Sequence, residues 1–237
     1  MNKQSDSDLR KEAGGWLSLR FPRLLDLYEH SDRENPKNYF NVEFPLPLSE
    51  EEKRLARLDS ESWKILREKA VPYVSVDDSV RRYQQLWNIL DEARGYVFLA
   101  DQGYERIEFI KPDKSKKGGK RLPDLIGYKT GSTAVLEAKT INESCDNLAA
   151  TAPWRTEAVT VRPDLAEEFK RKVIATIEQA TCQLKSYPHQ TNRKIVLLVI
   201  RFDYGQKTGG HLYAELSNFV AAQSSDSEVE VHQQAAL

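Results

Sequence analysis

The residues of this chain best suited to hydrolytic chemistry lie in one short stretch. Asp124 follows Pro123, and Glu137 and Lys139 flank Ala138. Residues i and i+2 of a β-strand share a face, so Glu137 and Lys139 point the same way if this segment is extended. Two runs flank a turn here, PDLIGYK and TAVLEAK around TGS, which is a β-hairpin pattern. With Thr130 and Gly131 as the turn, 129 pairs with 132 and 124 with 137, and directly paired Cβ atoms stand roughly 4.5–5.5 Å apart. With Gly131 and Ser132 as the turn, Asp124 faces Lys139 and still shares that face. A three-residue turn sends Asp124 to the other side. The first two registers converge on one cluster, two carboxylates and a lysine. Carboxylates that close repel unless a cation or a proton intervenes. Hard oxygen ligands suit Mg²⁺, which keeps several waters and takes one or two carboxylates plus substrate phosphate. Mn²⁺ is expected to substitute. The Ala138 carbonyl is a further candidate ligand. Lys139 would position or help deprotonate a water and stabilise charge on a pentavalent phosphate. Such a set suits phosphodiester hydrolysis.

The elements around the cluster must place it. Pro-Asp pairs also occur at Pro112–Asp113 and Pro163–Asp164, and Glu-x-Lys triplets at Glu51–Lys53 and Glu168–Lys170. Those triplets sit in helical patterns, where i and i+2 do not face each other. Asp113 lies in a Gly/Lys loop. Only the middle set joins two strand patterns across a turn. Upstream, Val80, Tyr83, Trp87 and Leu90 predict an amphipathic helix that stops near Gly95, followed by a strand with Ile107 and Phe109 on one side. Downstream, a helix is predicted from about Pro163 to Tyr187, closed by Pro188. Ile195–Ile200 predicts a strand buried on both faces. The predicted order is α-β-β-β-α-β.

Pro123–Asp124…Glu137–Ala138–Lys139, in that order of elements, resembles the signature of the PD-(D/E)XK nucleases, the restriction-endonuclease-like superfamily. The resemblance covers about residues 76–205. It implies an α/β fold with a mixed central sheet flanked by helices, with Asp124 and Glu137 as metal ligands and Lys139 as the catalytic lysine. It also implies in-line attack on phosphorus, commonly leaving a 5′-phosphate. Gln183 and Tyr187, four apart with Gln179 on the same stripe, resemble the QxxxY motif of RecB-type and phage-exonuclease-type members. There the glutamine donates to phosphate and the tyrosine caps or stacks; the alternative is a solvated glutamine and a core-edge tyrosine. Several members carry an acid on the first core helix. Asp91, four residues after Trp87, is the candidate, with a surface ion-pair role as the alternative; Glu92 is rotated away on the helical wheel.

The loop Lys111–Arg121 holds Lys111, Lys114, Lys116, Lys117, Lys120 and Arg121 against one acid, Asp113. Counterion release would make it a sequence-blind DNA anchor; otherwise it is a solvated loop. Trp154 and Arg155 are expected to plug the core edge. GQKTGG at 205–210 lacks the P-loop pattern. The four histidines have no ligand spacing, and no serine stands in a G-x-S-x-G elbow.

Composition bounds the rest. The 237 residues are 40% hydrophobic, enough for a core, and 35 Lys+Arg against 36 Asp+Glu exclude a uniformly basic coat. The longest apolar run, Ile195–Ile200, is far short of the about 20 residues a membrane helix needs. The polar N-terminus lacks a secretory h-region. Cys145 and Cys182 fit reduced thiols rather than a zinc or iron–sulfur site. A cytoplasmic protein is therefore expected. The predicted organisation is a flexible 1–15, a mostly helical 16–75 with a Ser49/Glu52 capping box, a nuclease-like domain over 76–220, and a disordered tail over 221–237. Pro36, Pro45 and Pro47 mark a loop before Leu55, Leu58, Ile65 and Leu66, which fall near helical spacing. The function expected is a Mg²⁺-dependent DNA endonuclease of a restriction, defence or mobile-element kind. It would be a homodimer if both strands of a symmetric site are cut together. The alternatives are a silent nuclease-like fold that binds DNA or a protein, and an RNA-directed nuclease.

Overall fold

The computed structural model describes residues 21–29, 45–74, 84–111, 122–142, 165–201, 206–223 and 228–235. The chain forms two compact units, Met1–Asp77 and Asp78–Leu237.

The first unit contains α1 (Pro22–Glu29), α2 (Pro45–Leu55) and α3 (Ser60–Val74). Leu24, Leu27, Leu55 and Leu66 are fully buried. Pro45 and Pro47 lie in the first turn of α2 rather than in a loop, where a missing N–H costs nothing. Ser49 is therefore inside a helix and caps nothing. The buried Glu52 instead caps α1, accepting the N–H groups of Arg23 at 2.8 Å and Leu24 at 3.0 Å. The true cap signal is Asp59, whose carboxylate accepts the Ser62 N–H at 2.8 Å and opens α3.

The second unit is α/β. Its elements are α4 (Gln84–Leu90), α5 (Glu92–Asp101), β1 (Arg106–Phe109), β2 (Leu125–Lys129), β3 (Ser132–Asn142), α6 (Glu167–Lys185), β4 (Arg193–Arg201), α7 (Gln206–Gln223) and β5 (Glu230–Ala235). The strands form one open mixed sheet in the order β1-β2-β3-β4-β5. β1, β2 and β3 are antiparallel; β3–β4 and β4–β5 are parallel. Ile195–Ile200 is buried throughout, as a central strand requires. One core layer joins Val135, Ile141, Val196, Leu198 and Ile200 to Val173, Ala180 and Leu184 of α6 and Leu216 of α7. α5 packs close to the sheet through Gly95.

Three expectations are corrected. The helix does not stop at Gly95. A Cβ there would stand 2.7 Å from both Leu125 Cδ1 and Leu136 Cδ2, so the glycine lets α5 lie close on β2 and β3. The stop comes at Gly103, with φ +80°. The later helix begins at Glu167 and ends at Lys185, not at Tyr187. The C-terminal segment is not a featureless tail: α7 runs to Gln223, and β5 pairs with β4 from Ile195↔Glu230 to Ile200↔Ala235. The polar sequence of β5 hides it, because an edge strand need bury only one face. Arg193 clamps its start, donating to Glu230 at 2.7 and 2.6 Å. Residues 112–121, Cys145, Trp154, Arg155 and Pro163 lie outside the described residues.

Candidate active site

The hairpin takes the first of the expected registers. Lys129 pairs with Ser132, leaving Thr130 and Gly131 as the turn. Gly131 has φ +73°, the left-handed conformation such turns demand. The ladder continues to Leu125↔Leu136, so Asp124 lies abreast of Glu137 just past its end. Backbone bonds fix Asp124 on both sides. Its N–H donates to Leu136 O at 3.1 Å, and its own carbonyl accepts the Ile110 N–H at 2.9 Å. With the ladder ended, the Ala138 N–H finds no strand partner, and Asp124 Oδ2 accepts it at 2.9 Å. A residue's N–H and C=O point to the same neighbour in a strand. The Ala138 carbonyl therefore faces the Asp124 side as well.

Glu137 is 1% exposed. Lys139 Nζ donates to its Oε1, and Gln183 Nε2 donates to its Oε2 at 2.8 Å. Burial pushes its carboxyl up to about 8, the Asp124 charge pushes the same way, and Lys139 opposes both. The Lys139 side chain is 24% exposed, so the ammonium connects the buried acid to solvent.

Gln183 is buried on α6 and also donates to the Leu122 carbonyl, just before the Pro123–Asp124 step. It thus ties the entrance of β2 to Glu137. Its Oε1 is buried without a hydrogen-bond partner. Tyr187 lies past the end of α6, half-buried against the core, with its ring 5.0 Å from that of His189. Gln179 is exposed.

Asp91 is fully buried at the junction of α4 and α5. Its Oδ1 accepts Arg94 Nε at 3.0 Å and its Oδ2 accepts Thr140 Oγ1 at 3.0 Å. Thr140 alternates to the face opposite Lys139. Asp91 therefore bonds to β3 from the other side of the sheet. Glu92, rotated away on the helical wheel, is the acid of this segment whose charge is felt at Glu137, raising its carboxyl further. Asp91 keeps helical φ −65° and ψ −18°, and its N–H donates to the Trp87 carbonyl at 2.9 Å, so it takes the buried face that its spacing from Trp87 predicts.

The site thus brings together Asp124, Glu137, Ala138, Lys139 and Gln183. The oxygen donors able to hold a divalent cation are the two carboxylates and the Ala138 carbonyl. Among the described residues, no three His, Cys, Asp or Glu side chains cluster as a metal site. Of the basic loop only Lys111 is described, and it is exposed; Lys114, Lys116, Lys117, Lys120 and Arg121 lie outside the described residues. No family model, curated protein or solved structure matches this chain.

Proposed function

We propose that this chain is a Mg²⁺-dependent nuclease that hydrolyses DNA phosphodiester bonds, built on a restriction-endonuclease-like core and acting as an endonuclease in a restriction, defence or mobile-element setting. The observation that carries this reading is the Lys129↔Ser132 register, which sets Asp124 beside Glu137 with Lys139 on the same face. An ordinary surface hairpin has no reason to bury a glutamate there and hold it with both a lysine and a glutamine.

The donor set fits a hard divalent cation. The Asp124 charge favours a proton on Glu137, whose place a cation would take, the Ala138 carbonyl faces the Asp124 side, and the buried Gln183 Oε1 has no hydrogen-bond partner. When bound, Mg²⁺ would supply Lewis acidity toward a phosphoryl oxygen and a more acidic water. The chain's own residues do the rest. Ala138 N–H and the flanking backbone bonds hold Asp124 in one orientation. Gln183 locks the Glu137 carboxylate so that it does not turn away from its neighbour. Lys139 Nζ reaches the solvent side, where it can orient a water for in-line attack and donate to a phosphoryl oxygen as charge builds there. Glu137 is the proton reservoir, since its carboxyl must lose a proton for both acids to be ionised.

The test is cleavage of supercoiled plasmid, linear duplex and RNA of matched sequence, with Mg²⁺ or EDTA. Wild type should nick DNA only with the metal, and Lys139→Ala should lose at least about 100-fold in rate. Equal rates for the two proteins would remove the reading. Metal-independent binding without any cleavage would assign the fold to a binding role.

A further inference from the structure

β3 outlasts its neighbour on one side only. The ladder with β2 ends at Leu125↔Leu136, whereas pairing with β4 continues to Asn142↔Arg201. Pro123 has no N–H to give, and the Leu122 carbonyl is turned to Gln183. Successive residues of a strand address opposite neighbours. Leu136 accepts from the Asp124 N–H, and Ala138 donates to the Asp124 carboxylate at 2.9 Å. The Thr140 N–H therefore faces the same side, past the end of β2, and among the described residues no acceptor meets it. It is the next donor along this edge after the Ala138 carbonyl, in the residue that follows Lys139.

The side chain of the same residue is tied down from the opposite face of the sheet. Thr140 Oγ1 donates to Asp91 Oδ2 at 3.0 Å, and Arg94 Nε donates to Asp91 Oδ1 at 3.0 Å. Both Asp91 and Arg94 are buried. A buried ion pair gains little or nothing in stability over apolar side chains of similar volume. What apolar side chains cannot do is hold Thr140 by its hydroxyl. The tether also runs to a fixed base, because α5 lies directly on this part of the sheet: a Cβ at Gly95 would stand 3.9 Å from Ala138 Cβ.

An unspent main-chain N–H one residue from an ammonium suits an anionic oxygen. A polypeptide strand adding to the edge would need a row of free donors and acceptors, and Asp124 has already taken the Ala138 N–H. A phosphate oxygen needs one donor, and main-chain N–H groups are regular partners of nucleic-acid phosphates.

We propose that the Thr140 main-chain N–H seats a phosphate oxygen of the substrate on the free edge of β3, and that Asp91, through the Thr140 hydroxyl, is its positioning residue. This deepens the nuclease reading above and rests on it for the phosphodiester. The test uses the full chain. In EDTA, a DNA duplex or an RNA of the same sequence should move the Thr140 amide proton downfield saturably. Putting the α-hydroxy analogue of threonine at 140 deletes the N–H and keeps the side chain; it should weaken that binding and slow Mg²⁺-dependent cleavage, each about tenfold. Thr140→Val keeps the N–H and loses the tether. It should lower kcat about tenfold with KM changed less than threefold, and Thr140→Ser should restore the rate. Asp91→Ala should add no further loss to Thr140→Val; Thr140→Val carries the test alone if unpairing Arg94 unfolds the chain. A lower melting temperature in Thr140→Val with kcat unchanged overturns the positioning role. Wild-type binding and cleavage in the α-hydroxy variant overturn the phosphate seat and leave the nuclease reading standing. An amide moved by neither nucleic acid overturns it too, and leaves the edge to a polypeptide strand. A moved amide in a chain that cleaves nothing keeps the seat and removes the hydrolytic reading.

Discussion

Glu137 is where the demands of folding and of chemistry conflict most. Its carboxyl is raised to about 8 by burial and by Asp124. A group raised in the folded state contributes its full stability below its unfolded value of about 4.5, and that contribution is lost as pH rises through about 8. Metal-free protein should therefore lose stability across that window. Glu137→Gln, which carries no proton to lose, should not. The melting temperature of Glu137→Gln should match wild type near pH 4.5 and exceed it increasingly toward pH 8. A constant difference across that range would mean the carboxyl is not raised. Asp91 shows how residue type alone misleads. Its acidic side chain in the right segment matches a third-acid role, but both oxygens bond to Arg94 and Thr140.

At the scale of elements, the hairpin turn sets the site. Inserting one glycine between Asp124 and Leu125 leaves Leu125↔Leu136 in place and should carry Asp124 one position along, to the opposite face. The variant should fold with near-native circular dichroism and lose metal-dependent cleavage; retained activity would mean the register does not matter. Gly95→Ala should push α5 off β2 and β3. Adding a methyl to a packed core costs about 1–3 kcal/mol, which a denaturant midpoint measures. β5 hangs on the Arg193–Glu230 pair. Arg193 and the nearby His232 hold the Glu230 carboxyl down at about 2. A depressed acid stabilises fully above 4.5 and loses that contribution as pH falls toward 2. The stability gap between wild type and Glu230→Gln should thus close with acidification. The hairpin, the long helix and the central strand were legible because each has an unmixed pattern: alternation around a Gly turn, helical spacing closed by proline, a β-branched run. β5 was not, because among residues 230–235 only Val231 and Ala235 are apolar, too few to mark a strand. The role of Gln183 was half legible. Its spacing to Tyr187 marked it, but its grip on Glu137 depends on where α6 packs.

For the whole molecule, a net charge of −1 means that DNA affinity must come from a local patch. Replacing Lys114, Lys116, Lys117 and Lys120 by Gln should flatten the dependence of log K on log salt by about 0.9 for every phosphate that is no longer neutralised. An unchanged slope would place the patch elsewhere. Among the described residues, no helix is long and apolar enough to cross a membrane. The account rests finally on two acids that share one ion. Calorimetric titration of Mn²⁺ into wild type at pH 7 should show one site per chain and release of about one proton as Glu137 ionises, with binding lost in Asp124→Asn and in Glu137→Gln. Equal Mn²⁺ affinity in wild type and both variants would contradict it.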